Sequence, residues 1–236
     1  MTPLQWFGVF AVLMAAVGFG IQHVNQAIDG AGVVGKTNMQ AVIFAKNGAP
    51  SDVLEMVSAP VPAYRSWEVL VEVQAASLNP VDYKIIEGAF SLFDFGLNHR
   101  PGFDFSGKVL AVGDGVKNIR VGDLVHGMTW VHKTGSLAEY LAIDESAINV
   151  VPDGMSLQEA AALPLVALTS FSSMVTLGGL TQGKAQRVLV LGGSSATGMM
   201  ALQLVCSIII ACIQCTGILF NLTVSFKILM FGGCQP

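Results

Sequence analysis

Residues 188–205 read Val-Leu-Val-Leu-Gly-Gly-Ser-Ser-Ala-Thr-Gly-Met-Met-Ala-Leu-Gln-Leu-Val, an apolar stretch, a cluster of small residues and then a helix-forming stretch. Gly192, Gly193 and Gly198 let backbone N–H groups approach an anion closely. Ser194, Ser195, Ala196 and Thr197 keep the turn small, and a helix starting near Thr197 turns its positive dipole end towards it. Strand, tight turn, helix is the arrangement that cradles a dinucleotide pyrophosphate, and a nicotinamide dinucleotide implies hydride transfer. Against the G-x-G-x-x-G spacing, Ser195 and Ala196 stand where glycines would, so the pattern alone equally fits an ordinary strand-to-helix turn.

Other chemistries find less support. A net charge of −4, with few and scattered Lys and Arg, provides no basic footprint for nucleic acid. The histidines, His23, His99, His126 and His132, show no metal-ligand spacing and read as surface or strand-edge residues. All four cysteines, Cys206, Cys212, Cys215 and Cys234, fall in the last segment, so the middle of the chain needs no oxidising compartment. Cys212 and Cys215 have C-x-x-C spacing but sit in an apolar run without a nearby His.

The chain is 53% apolar and only 12% charged, against about 25% charged for an ordinary globular domain. The excess sits at the ends. Leu4–Ile21 is nearly continuous apolar sequence, about 27 Å as a helix and close to a bilayer core. It reads either as a membrane anchor or as an extension before a fold that opens at Met39, with residues 1–38 contributing nothing. The chain is accordingly expected to be membrane-associated if residues 1–38 are translated and cytoplasmic otherwise. From Cys206 to Pro236 the only charge is Lys227.

The elements that must position the glycine turn follow from periodicity. Met39–Phe44, Glu68–Ala75, Gly107–Val112, Leu124–Met128, Ser136–Ile143 and Ala147–Val150 read as strands divided by Gly, Pro and Asp turns, a pattern that predicts a small β-barrel. Gly102, Gly107, Gly122 and Gly135 are expected at turns between its strands. Ser156 and Glu159 have capping-box spacing for a helix ahead of Pro164, and a second helix is expected over Leu168–Leu177. The strand Arg187–Leu191 then leads into the glycine turn, as the first βα unit of an open parallel sheet.

Several blocks in this order carry a family resemblance: Ala76-Ser77-Leu78-Asn79-Pro80-Val81-Asp82-Tyr83-Lys84, Arg100-Pro101-Gly102-Phe103-Asp104-Phe105-Ser106-Gly107, Val121-Gly122-Asp123-Leu124-Val125, Gly135-Ser136-Leu137-Ala138-Glu139-Tyr140, Glu159-Ala160-Ala161-Ala162-Leu163-Pro164 and the glycine turn. Over Met39–Val205 the chain resembles the zinc-free medium-chain dehydrogenase/reductases, the quinone oxidoreductase and enoyl reductase group, and within it the alkenal/enone reductases. The resemblance implies an α/β fold with a β-barrel: a hydrophobic N-terminal segment (1–38), a GroES-like catalytic domain (39–152), the start of a Rossmann domain (153–205) and an atypical apolar tail (206–236).

Zinc-dependent members would place a Cys near Asn79 and a His-Glu pair at Phe103-Asp104, so the resemblance implies no zinc. It implies a nicotinamide dinucleotide, NADPH by family habit with NADH as the alternative, and a small-molecule enone or quinone substrate. Without a metal, hydride transfer depends on placing the nicotinamide against an electron-poor carbon, with hydrogen-bond donors on the developing enolate. Asn79 is then expected beside the nicotinamide ribose and carboxamide, Tyr83 in the substrate cleft, and Thr169 facing the cofactor. Each also has a structural reading: Asn79 as an Asx turn before Pro80, Tyr83 as a packed aromatic, Thr169 as a capping group, with Asp82 holding its loop locally.

After Val205 the family pattern stops. The second strand, whose end would choose between NAD and NADP, is replaced by apolar sequence, and Leu204–Phe220 spans about 26 Å as a helix. This break makes a C-terminally truncated, catalytically inactive relative, a binding module or membrane-anchored fragment, the alternative to an enzyme. The strand Arg187–Leu191 is expected to be left with exposed edges.

Overall fold

The computed structural model describes residues 27–89, 99–130, 135–182, 187–208 and 228–231. They belong to two compact units, Gln26–Leu168 and a second that holds the residues from Thr169 onward.

The first unit is built on β3 (Glu68–Ser77), whose Val69, Leu70 and Val71 are all fully buried. Alternation sends Val69 and Val71 to one face, where they pack with Phe105, Val109, Val125 and Leu141. Leu70 points the other way, against Met39, Ala41, Tyr64 and Tyr140. A strand covered on both faces loses the hydrophobic/polar alternation of a half-exposed one and reads as continuous apolar sequence. Each such buried side chain stabilises the fold by roughly 1.5–3 kcal/mol.

Around β3 an antiparallel sheet forms in the order β6-β3-β4-β5-β7, with β4 at Asp104–Val112, β5 at Leu124–Met128, β6 at Tyr140–Asp144 and β7 at Ile148–Val150. A second, two-stranded sheet pairs β1 (Asn38–Phe44) with β2 (Leu54–Pro60). Beyond its pairing with β2, β1 makes single bridges to the segments that precede β6 and β4, Ala41 with Ala138 and Phe44 with His99. The barrel expected from the strand pattern is therefore, among the described residues, an open sheet and a ribbon. The strand expected over Ser136–Ile143 begins only at Tyr140, because Gly135, Ser136 and Leu137 spend their amides on the carbonyls of Arg100, Gly102 and Pro101.

Gly107 also departs from expectation, lying inside β4 and not at a turn. There β3 crosses so closely that a Cβ on Gly107 would sit 2.1 Å from the Glu72 carbonyl oxygen. The β3–β4 register shifts just beyond, between Val73 and Ala75, and the shifted register sets Ser77 opposite Asp104.

Residues before Met39 do contribute. Ile28 exchanges backbone hydrogen bonds with Tyr64, and the short helix α1 (Gly30–Val34), capped by Asp29, packs Ala31 and Val34 on the Leu70 side of β3. This overturns the reading in which the fold opens at Met39. The segment Leu4–Ile21, His23, His132, Cys212, Cys215 and Cys234 lie outside the described residues.

Helix α2 (Pro50–Val53) leads into β2, and α3 (Pro80–Ile86) follows β3. In α4 (Leu157–Ala161) the capping box read from Ser156 and Glu159 is present, with the Glu159 carboxylate accepting the Ser156 N–H at 2.9 Å. The next helix, α5, runs Pro164–Phe171 and continues as a π-helical turn over Ser172–Leu177. It starts four residues earlier than expected because Pro164 occupies its first position, where a missing N–H costs nothing.

In the second unit, β8 (Arg187–Val190) leads to α6 (Ala196–Ile208), whose Ala201 and Val205 pack with Met174 and Leu180. Here β8 pairs with β9 (Ile228–Phe231), and the pairing is antiparallel where a parallel neighbour was expected. One edge of β8 is thus covered. Among the described residues no helix is long and apolar enough to cross a membrane. Of Leu204–Phe220 only the first five residues are described, as the end of α6.

Candidate functional site

Asn79 closes the loop after β3 and is the N-cap of α3, in extended conformation with Pro80 as the first helical residue. Its backbone N–H donates to Asp82 Oδ2 at 2.6 Å, and its side-chain Nδ2 donates to Asp104 Oδ2 at 2.9 Å. Asn79 thus caps its helix locally, in a capping box with Asp82, and its side-chain amide is held in addition by a carboxylate 25 positions away. Asp82, expected to hold its loop locally, does so and reaches further, since Oδ1 accepts the Gly102 N–H at 3.0 Å.

Asp104 is wholly buried at the start of β4. Besides Asn79 it accepts from Ser77 Oγ at 3.3 Å and, through Oδ1, from the Leu165 N–H at 2.9 Å. Leu165 lies in the first turn of α5, where amides lack intrahelical acceptors and a negative charge is stabilised. Burial nevertheless pushes the Asp104 carboxyl up to about 6, opposed by its three donors and reinforced by the nearby Asp82 charge. Burial raises Asp82 as well, against the pull of its amide donors. In the sequence Asp104 stands out only as the place where a zinc-dependent relative carries Glu. The signal available was a carboxylate between Phe103 and Phe105 in a strand, a group that buries only when donors meet it.

Tyr83 stands one helical turn after Asn79 on α3 and is 45% exposed, so it is not a packed aromatic. A narrow crevice beside Asp82 is lined by His99, Arg100, Thr129 and Trp130. Arg100 Nη1 is buried there with no hydrogen-bond partner among the described residues, and burial lowers the guanidinium to about 10. His126 instead sets Nδ1 3.1 Å from the Ala160 carbonyl, a structural contact. No group of three His, Cys, Asp or Glu side chains able to hold a metal ion occurs among the described residues.

In the second unit the turn is tighter than its sequence suggested. Gly192 has φ +77°. Ser195, not Thr197, caps the helix: its Oγ accepts the Gly198 N–H at 3.1 Å and donates to the Gly192 carbonyl at 2.8 Å. Gly198 lies so close beneath Gly192 that a Cβ would stand 2.1 Å from that same carbonyl oxygen. Gly193 and Ser194 form the bend, while the amides of Ala196 and Thr197, at the start of α6, have no intrahelical acceptor. A backbone cradle that a side chain would fill, open at a helix start, fits a pyrophosphate. Thr169 is partly exposed on α5, and it is the neighbouring Ser170 that reaches the turn, donating to the Thr197 carbonyl at 2.8 Å. Asn79, Asp82, Tyr83 and Asp104 thus form one cluster in the first unit, and Gly192–Gly198 with Ser170 another in the second.

Residues 65–153 match the alcohol dehydrogenase GroES-like domain. The chain is 39% identical over 160 residues to the 2-methylene-furan-3-one reductase of Solanum lycopersicum, covering 65% of this chain and 40% of that one. It is 35% identical over 173 residues to the chloroplastic NADPH-dependent alkenal/one oxidoreductase of Arabidopsis thaliana, covering 70% and 44%. Among solved structures, the quinone oxidoreductase of Coxiella burnetii superposes with a TM-score of 0.65 at 33% identity, over 72% of this chain and 54% of that one. The chain spans less than half the length of those two reductases. Residues 65–153 thus carry an alcohol dehydrogenase GroES-like domain, and the chain as a whole is similar to quinone, alkenal and enoyl reductases that contain it.

Proposed function

We propose that this chain binds a nicotinamide dinucleotide, NADPH in preference to NADH, and reduces an activated C=C bond of an enone or alkenal, or a quinone, without zinc. The observation that carries this reading is the Gly192–Gly198 turn. Its backbone closes to a distance that only glycine at 198 tolerates, and Ser195 fastens it while leaving first-turn amides free for an anion. Two relatives whose names give an enone-type reductase and an NADPH-dependent alkenal/one oxidoreductase support the substrate and cofactor class.

The cofactor supplies a hydride. In this reading the amides of Gly193, Ser194, Ala196 and Thr197 hold its pyrophosphate. Asn79, with Thr169, orients the nicotinamide end, and Tyr83, exposed on α3, offers its hydroxyl as donor to the substrate oxygen where negative charge develops. A donor placed there before reaction stabilises that charge without reorganising at the moment of transfer.

A second reading has one observation in its favour: β8 pairs antiparallel with β9, whereas the dinucleotide-binding sheet of this fold class is parallel. On that reading the chain is a catalytically inactive binding module. Incubating the full chain with NADPH and a panel of enones, alkenals and quinones, and following NADPH absorbance, separates the two. Substrate-dependent oxidation supports the enzyme. Binding without oxidation supports the module, and neither binding nor oxidation removes both.

A further inference from the structure

We propose that Asp104 is the positioning residue of this site: its buried, ionised carboxylate holds the Asn79 side-chain amide in the one orientation in which Asn79 can meet the cofactor. The proposal rests on the reading of Asn79 as a cofactor contact given above.

The geometry is specific about charge. Asp104 Oδ2 receives two donors, Asn79 Nδ2 at 2.9 Å and Ser77 Oγ at 3.3 Å, and Oδ1 receives the Leu165 amide at 2.9 Å. A carboxylate is acceptor-only and satisfies all three, whereas a protonated carboxyl must turn a hydrogen towards groups that are themselves donors. Protonation therefore forfeits one of the three contacts. Ser77 has a rotatable hydroxyl and Leu165 is fixed in a helix turn, so Asn79, partly exposed beside the loop, is the member free to turn away.

Asn79 is also held through the capping box with Asp82, whose carboxylate accepts the Asn79 N–H at 2.6 Å and whose backbone N–H faces the Asn79 side-chain oxygen, so loss of the Asp104 contact releases the Nδ2 end without freeing the loop. This separates positioning from folding. Asp82 is the charged group that acts on Asp104, and it raises the cost of ionisation. The Asp104 charge is held by its hydrogen bonds from Asn79, Ser77 and Leu165, while His99 and Arg100 line the crevice beside Asp82.

The test uses the full chain with 15N-labelled asparagine, the Asn79 side-chain signal being assigned by its loss in Asn79→Ser. In the wild type that signal shifts with pH, with a midpoint near the value of about 6 expected for Asp104. In Asp104→Asn the shift vanishes and the amide hydrogens exchange about tenfold faster or more, as expected for a lost charge-assisted hydrogen bond. Ser77→Ala, which removes the other donor to the same oxygen, leaves the pH-dependent signal in place. In parallel, NADPH fluorescence titrations give an affinity about tenfold to a hundredfold weaker for Asp104→Asn than for wild type.

An Asn79 signal that ignores pH in the wild type, or is unaltered in Asp104→Asn, overturns the positioning role, and the wild-type measurement stands even if the variant fails to fold. Wild-type NADPH binding with unaltered affinity in Asp104→Asn overturns it too. Failure of the wild type to bind NADPH at all overturns instead the functional reading on which this inference rests.

Discussion

Replacing Gly198 by Ala tests the glycine turn at its tightest point. The new Cβ would stand 2.1 Å from the Gly192 carbonyl oxygen, whereas a carbon and a carbonyl oxygen ordinarily approach to about 3.3 Å. Because the obstacle is backbone, the turn must open by about 1.2 Å to accept one methyl group. Overpacking of this kind costs roughly 1–3 kcal/mol. For a chain of this size each kcal/mol lowers Tm by about 2–4 °C, so the variant should melt roughly 2–12 °C below wild type. Opening the turn also moves the amides of Ala196 and Thr197 away from the site where a pyrophosphate would bind, and misplacement by about 1 Å costs on the order of a hundredfold. Differential scanning calorimetry and calorimetric NADPH titration read the two effects. Ser195→Ala is the comparison, since it removes the helix cap at a cost of about 1 kcal/mol without adding bulk, and it should weaken NADPH binding far less. A Gly198→Ala chain that melts within about 1 °C of wild type and binds NADPH within about twofold would show that the close crossing is not what shapes the turn.

Other outcomes follow from the first unit. Between about pH 4 and pH 6 the unfolding free energy should fall as pH rises. Asp104 titrates near 6 when folded against 3.8 unfolded, so its protonated form favours the fold, and the effect amounts to at most roughly 3 kcal/mol. Asp82 acts in the same direction, and Asp104→Asn should flatten that slope in urea melts across this range. Asp82→Ala leaves the buried Gly102 N–H and the Asn79 N–H without their acceptor and should destabilise by about 2–4 kcal/mol in the same melts. Tyr83→Phe should leave stability within about 0.5 kcal/mol of wild type, because the side chain is half exposed, while lowering kcat/KM for enone reduction. A chain begun at Met39 loses α1 and the Ile28–Tyr64 bridge, and should unfold about 2 kcal/mol or more earlier than one begun at Gln26.

Strands whose side chains alternate or run apolar over the core were legible as written: Leu124–Met128 was placed to the residue, and β1, β3 and β8 to within two. What escaped was structure held by backbone partners far along the chain. Strand β2 went unread because it lies on the surface, with Met56 73% exposed and no buried stripe to announce it. Residues 136–139 read as the start of a strand, yet the amides of Gly135, Ser136 and Leu137 close a loop on Arg100, Gly102 and Pro101, and Glu139 donates to the Gln40 carbonyl. The site divided in the same way. The glycine turn stood out by local spacing, Asn79 and Asp82 through the family resemblance of the block that holds them, and the cap at Ser156 was correct because a capping box is itself local. The partnership of Asn79 with Asp104, and of Ser170 with the turn, spans 25 and 27 residues, and nothing near either residue in sequence reports it.

Nucleotide binding by the full chain decides whether the Gly192–Gly198 turn is a cofactor site. Titrating it with NADPH while following nucleotide fluorescence should give saturable binding of one NADPH per chain, displaced by NADP and weakened in both Gly198→Ala and Asn79→Ala. No saturable binding with cofactor raised to about 1 mM, the upper end of ordinary substrate affinities, would contradict it.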